Sequence, residues 1–187
     1  YHRKNISEPK WGGHTMKTVK LFLVLFIFFI LQGTVMQVFS PAWFGLHFVS
    51  VPHFVLMGTI MVGLFYDRTQ AVWYGLFFGF LIDLIYTNVW GVYAFCISLT
   101  AYVLSYLARV FHLYLIIVFF IGLAGVVLLE LEVYGIYGLI GKITMGFSDY
   151  LEWRLMPTLV VNGVFLLIIF YPFRRLLLRM ALEQTDE

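Results

Sequence analysis

The feature that most constrains this chain is a succession of apolar runs, each long enough or nearly long enough to cross a bilayer, separated by only a few polar residues. Lipid offers no water to a backbone N–H or C=O, so such a run must satisfy its backbone internally, as a helix or in a closed barrel. Each long apolar run is accordingly read as a helix, and the run over Leu113–Leu129 is fully apolar. Composition points the same way. Residues of the set AVILMFWYC make up 62% of the chain, charged residues only 12%, and the mean hydropathy is +0.93, too little polar side chain to clothe a soluble surface. A chain of 187 residues holds six such spans with short loops and no separate catalytic domain.

The expected fold is therefore an all-α integral membrane protein, a six-helix transmembrane bundle spanning residues 16–187 with a short cytoplasmic C-terminal tail. Residues 1–15 are polar, and Met16 with Lys17 and Lys20 opens the first apolar run like a natural start. That prefix is an artefact of production, an upstream read-through or a cytoplasmic tail, and stands outside the expected fold. Spans are expected over Thr18–Phe39, Pro52–Tyr66, Ala71–Tyr86 and Trp90–Ala108, then from Leu113 through Leu129, and over Pro157–Phe173. Pro52 and Pro157 suit a first helical turn, where the missing N–H costs nothing. Asp67 and Arg68 are read as ending the second span. Glu130, Glu132 and the glycines at 135, 138 and 141 blur the end of the fifth, and residues 142–154 are read as interfacial.

When alternate loops are assigned to opposite sides, one side receives Lys17, Lys20, Arg68, Arg109, Arg174, Arg175 and Arg179, and the other only Lys142 and Arg154. By the positive-inside rule both termini are cytoplasmic. The net charge of +2 and the scatter of basic residues at span ends argue against nucleic-acid binding. A lone cysteine, Cys96, excludes an internal disulfide. His47 and His53 have no spaced carboxylate or cysteine neighbours, so no metal site and no cofactor is expected. No nucleophile motif, phosphate-cradling glycine loop or hydrolase-type carboxylate pair is present, which sets enzymes aside. Trp43, Tyr66, Trp73, Tyr86, Trp90, Trp153 and Tyr171 fall at expected span ends, as an aromatic belt does.

Three constellations remain. Gly91, Ala94, Ser98, Ala101, Ser105 and Ala108 alternate by three and four and form one small-residue stripe on the fourth span. Gly75 and Gly79 offer a complementary GxxxG on the third, so close packing of these two spans is favoured over a partner interface. Asp83 shares the glycine face near the end of its helix, where the dipole disfavours a carboxylate, so it needs a partner. The candidates are the Asn88 amide, the free N–H groups opening the fourth span, or Lys142 and Arg154. Such an acid either clamps the turn or serves partner or ion binding. Glu130 and Glu132 point to different faces, and at most one suits the core. Glu130 and Asn162 fall toward the same side as Asp83, as interhelical glue or as a ligand pocket.

The segments YGLFFGFLIDLIYTNVWGVYAF (Tyr74–Phe95), LLELEVYGI (Leu128–Ile136), MPTLVVNG (Met156–Gly163) and YPFRR (ending at Arg175) stand in an order that resembles the MreD family of bacterial rod shape-determining proteins, Gram-positive branch. The resemblance implies a non-enzymatic scaffold of the cell membrane that works with MreC most directly, and with MreB, RodA and an elongation-class penicillin-binding protein. It also implies a fold similar to the substrate-binding subunits of energy-coupling-factor transporters. A small-molecule transporter subunit is accordingly the rival function. Against it, LFLVLFIFFILQG in the first span has Gly33 as its one small residue, where those subunits dock through an alanine motif. Single-cysteine labelling in a Cys96-free background checks the orientation: an impermeant reagent applied to intact cells should label position 149 and spare positions 68 and 179.

Overall fold

In the computed structural model, which describes residues 11–38, 49–143 and 145–185, with side chains over 17–183, all regular structure is helical, with no strand among these residues. Helix α1 (Trp11–Val38) is followed by α2 (Phe54–Phe65), α3 (Arg68–Tyr86), α4 (Val92–Leu107) and α5 (Leu115–Leu139). A last rod runs from α6 (Phe147–Tyr150) through one π-helical turn (Leu151–Leu155) into α7 (Met156–Thr185). Among the described residues five helical stretches are long and apolar enough to cross a membrane: α1, α3, α4, α5 and the α6–α7 rod. Helix α2 has 12 residues and so spans only about 18 Å at 1.5 Å per residue.

The bundle is apolar outside and carries its polar groups within. Ile27, Phe77, Phe95, Phe120 and Ile168 are exposed, while Gln32, His53, Asp83, Glu130, Thr158 and Asn162 are buried. That arrangement suits hydrocarbon as solvent. The short helix α2 sits at the centre, buried at every residue from Phe54 to Val62 and packed by α1, α3, α4, α5 and α7. It is apolar on all sides because all sides face protein.

Several boundaries differ from the expectation, each for a local reason. Asp67 closes α2, as expected, with its N–H on the Val62 carbonyl at 3.0 Å, and it also opens α3, accepting a hydrogen bond from the Gln70 N–H at 2.7 Å as a helix N-cap; Arg68 is the first residue of α3. Pro52 lies outside α2, whose cap is His53, and Pro157 lies inside a continuous helix rather than at its start. Helix α5 carries on through Glu130, Glu132, Gly135 and Gly138 and stops only at Gly141, where φ is +75°. There Lys142 N–H bonds the Tyr137 carbonyl at 2.9 Å and Gly141 N–H the Gly138 carbonyl at 3.1 Å, a Schellman ending that requires the left-handed residue. Most of the stretch read as interfacial is helical from Phe147. Helix α7 likewise passes through Pro172 to Thr185, burying Leu177 and Met180 in the core, so the residues beyond Phe173 are helical, and Tyr171 lies within the helix. The first helix reaches back to Trp11, into the prefix. Phe39, Trp43 and His47 lie outside the described residues.

The expected packing of α3 on α4 is present. A Cβ built on Gly79 would stand 2.6 Å from Ala94 Cα, and one on Gly75 3.2 Å from Ser98 Cα. The backbones meet there. Further along α4 the stripe turns to α2, where Ser105 faces Gly63. Gly79→Ala should therefore lower stability by about 1–3 kcal/mol through overpacking against main chain that cannot move. Gly135→Ala, with no atom within 4 Å of the added methyl, should leave stability unchanged or raise it by up to about 1 kcal/mol through helix propensity. Thermal unfolding in detergent distinguishes the two.

Candidate functional site

Backbone that leaves the helix inside a bundle must find new partners, and residues 49–53 do so on the α6–α7 rod. Pro157 cannot donate to the carbonyl four residues back, Trp153. Val49 N–H takes that carbonyl at 2.8 Å. The π-turn before the proline shifts the local pattern, with Met156 N–H bonded to the Leu151 carbonyl five residues back. Val51 N–H then donates to Thr158 Oγ1 at 3.0 Å, Asn162 Nδ2 donates to the Val51 carbonyl at 3.0 Å, and His53 N–H donates to Asn162 Oδ1 at 2.7 Å. The Asn162 amide thus straddles Pro52, which has no N–H of its own, and treats the extended segment as a neighbouring strand would. Helix α2, whose cap residue His53 offers no side-chain cap bond, receives one from α1: Val55 N–H donates to Gln32 Oε1 at 3.2 Å.

This stitching delivers the His53 ring to Glu130, 77 positions away in sequence. Glu130 is 1% exposed and has three side-chain partners: His53 Nε2 at 2.7 Å, Arg154 Nε at 2.9 Å, and the Tyr150 hydroxyl. The Arg154 guanidinium also lies 5.5 Å from the Tyr150 ring centre. A carboxylate this deep is tolerable only with such compensation. Glu132 faces elsewhere, half-buried against α4, and accepts a hydrogen bond from Thr100 at 3.1 Å.

Asp83 satisfies a different broken end. Its carboxylate accepts from the N–H groups of Gly91, Tyr93 and Ala94, each at 3.0 Å, with the Thr87 hydroxyl 3.3 Å from Oδ1. Of the three candidate partners, the N–H groups opening the fourth helix are the ones it meets. Arg154 goes instead to Glu130, because the π-turn places it beside α5. Gly91 has φ +92° and no side chain to cap α4, so the preceding helix supplies the cap. A carboxylate at the C-terminal end of α3 thereby meets the positive end of α4. Gly91 belongs to the turn rather than to the packed stripe, since a Cβ on it would touch nothing.

Between these two polar clusters lies a cavity of about 480 Å³, lined among others by His53, Thr87, Asn88, Tyr93, Lys142 and Arg154. Asn88, exposed in the turn, lines it. Ala94, Ser98 and Ala101 stay buried under α3 and the core, with Ser98 Oγ donating to the Ala94 carbonyl at 2.7 Å. Asp83, Glu130 and Asn162, expected on the same side, occupy two clusters: Glu130 and Asn162 share His53, and Asp83 is held by the N–H groups of Gly91, Tyr93 and Ala94.

The model of the family described as rod shape-determining protein MreD matches residues 16–181. The chain belongs to the MreD family. It is 35% identical over 139 residues, 74% of this chain and 81% of the relative, to the rod shape-determining protein MreD of Bacillus subtilis (strain 168). No solved structure matches. With its several membrane-crossing helices, this MreD-family chain is a multi-pass membrane protein of the cell-shape apparatus.

His53, Tyr150, Thr158 and Gln32 were not legible as site residues. His53 has no carboxylate near it in sequence, and its partner sits on α5. The one signal available was its place beside Pro52 at the head of a span too short to cross alone. Glu130→Ala leaves His53 and Arg154 without their carboxylate and should cost about 3–5 kcal/mol; Glu130→Gln, which keeps hydrogen-bonding capacity, should cost less. Glu132→Ala loses one hydrogen bond and should cost about 0.5–1.5 kcal/mol. Chemical unfolding in mixed micelles reads all three, and equal losses for Glu130→Ala and Glu132→Ala would show that the cluster does not anchor the fold.

Proposed function

We propose that the chain is a non-enzymatic scaffold of the cell-elongation machinery, coupling MreC and the cytoskeletal MreB to peptidoglycan synthases, RodA and an elongation-class penicillin-binding protein among them. The observation that carries this reading is the family match over residues 16–181. The internal chemistry supports it: Asp83, Glu130 and Asn162 are each engaged with backbone or with other side chains, which suits a framework. In this reading the extended segment 49–53 and α2 together make a sixth crossing, both termini are cytoplasmic, and the bundle is of the kind found in energy-coupling-factor substrate-binding subunits. A second reading, a substrate-binding transporter subunit, is favoured by the cavity of about 480 Å³. The exposed face of α1 speaks against it, since Leu23, Phe26, Ile27, Ile30 and Leu31 are all large and leave no small-residue stripe for a coupling partner.

The surface assigned to MreC is the α3–α4 turn. Trp90 is 70% exposed there, on a loop whose shape Asp83 holds through three N–H groups. Asp83→Ala and the milder Asp83→Asn should both reduce MreC co-purification more than they reduce the amount of chain in the membrane. Proportional loss of both would mark Asp83 as a clamp only. Full MreC recovery at normal abundance from Asp83→Ala would remove the turn from the interface.

A further inference from the structure

We infer that the cavity between the His53–Glu130–Arg154 cluster and the α3–α4 turn is a binding site for an anionic amphiphile, a molecule with a phosphate-bearing head and an apolar body. Its volume of about 480 Å³ lies within the roughly 300–1,000 Å³ of small-molecule sites. The ionised side chains on its wall are of one sign. Lys142 and Arg154 line it, and among the described residues no aspartate or glutamate does. Two carboxylates stand behind the wall, and both are held by other partners: Glu130 by His53, Arg154 and Tyr150, and Asp83 by the α4 N–H groups. Arg154 meets Glu130 through Nε and also bonds the Tyr93 side chain on the cavity wall, so its guanidinium, with five N–H donors, has donor capacity beyond that carboxylate. Lys142 is exposed at the rim. Two cations from separate elements therefore converge on a space with no facing acid, an arrangement that selects an anion.

The remainder of the wall selects what the anion is attached to. Tyr93, Tyr134 and Tyr137 present rings with polar tips, and Ile82, Val133 and Met145 present apolar surface. A small hydrated ion would leave that surface unfilled; an apolar body beside the charge would fill it. Met36 of α1 and Tyr86 of α3 also line the cavity and are 43% and 37% exposed. Exposed lining residues thus stand on the α1 and α3 side of the cavity, where Leu84 and Ile85 are exposed as well, an apolar surface along which an acyl chain could lie. The same head chemistry is carried by an anionic phospholipid and by a soluble organic phosphate. This inference does not rest on the scaffold reading, which stands whether the cavity is filled or empty.

The test uses the full chain in neutral detergent, with thermal unfolding followed as dihexanoyl phosphatidylglycerol, dihexanoyl phosphatidylcholine or glycerol 3-phosphate is added. Phosphatidylglycerol should raise Tm saturably, and phosphatidylcholine should do so far less. Lys142→Gln, at an exposed rim position, and Met145→Trp, which fills the space, should each weaken the half-saturating concentration about tenfold. Each variant is compared with its own ligand-free Tm, so altered stability does not mimic lost binding. A response to phosphatidylglycerol that glycerol 3-phosphate does not match supports the amphiphile site, whereas a matching response to glycerol 3-phosphate would show that the apolar body contributes nothing and overturn it in favour of a soluble phosphate. Equal stabilisation by the two phospholipids, or an unchanged response in both variants, overturns it.

Discussion

A peptide group facing hydrocarbon has nothing to bond but other protein, and most of this architecture follows from places where the helical ladder is interrupted inside the bundle. Among the described residues three stand out: the extended segment before α2, the turn before α4, and Pro157 in the α6–α7 rod. Each is repaired by a group from elsewhere. Gln32 of α1 caps α2, Asp83 of α3 caps α4, and the carbonyl freed by Pro157 is taken by Val49 while Thr158 and Asn162 bond the chain around Pro52. Caps of this kind usually come from the helix's own first residue, as Asp67 does for α3. Supplying them from other helices ties the orientation of each helix to its neighbours.

The buried ionic cluster has the same logic at higher stakes. Glu130 could not remain charged in the interior alone, and Arg154 would be as costly without it. The two come from separate helices, and His53 joins them only because residues 49–53 are held against α7. A break in the stitching would therefore reach the ion cluster. This dependence explains how a chain with few charged residues can keep Glu130 and Arg154 beside each other, with His53 on the same carboxylate, inside a membrane bundle.

For the shape-determining role, these ties make a stiff body with a defined turn at one end. The turn carries an exposed tryptophan, Trp90, and borders the cavity of about 480 Å³. Asp83 holds the α4 N-terminus there through Gly91, Tyr93 and Ala94.

Much of the fold was legible in residue order alone. Apolar runs in lipid have to be helical, small residues spaced by three and four have to share a face, and Asp83 at a helix C-terminus has to find a positive partner; Gly79 meeting Ala94 and Asp83 meeting the α4 N–H groups bear this out. Those inferences hold because spacing along one helix, or across one short turn, translates directly into position. The candidate site was legible only in part. Glu130 and Asn162 stood out as polar residues in apolar runs, but their partners, His53 at a distance of 77 positions and Val51 at 111, come from a different part of the chain. Pro52 and Pro157 read as helix starts because a proline's missing N–H is harmless there; their actual places follow from which distant donor could reach the carbonyl that Pro157 leaves free. Local geometry is written in sequence spacing, whereas which broken backbone meets which side chain depends on how the helices pack, and only the tertiary structure decided that.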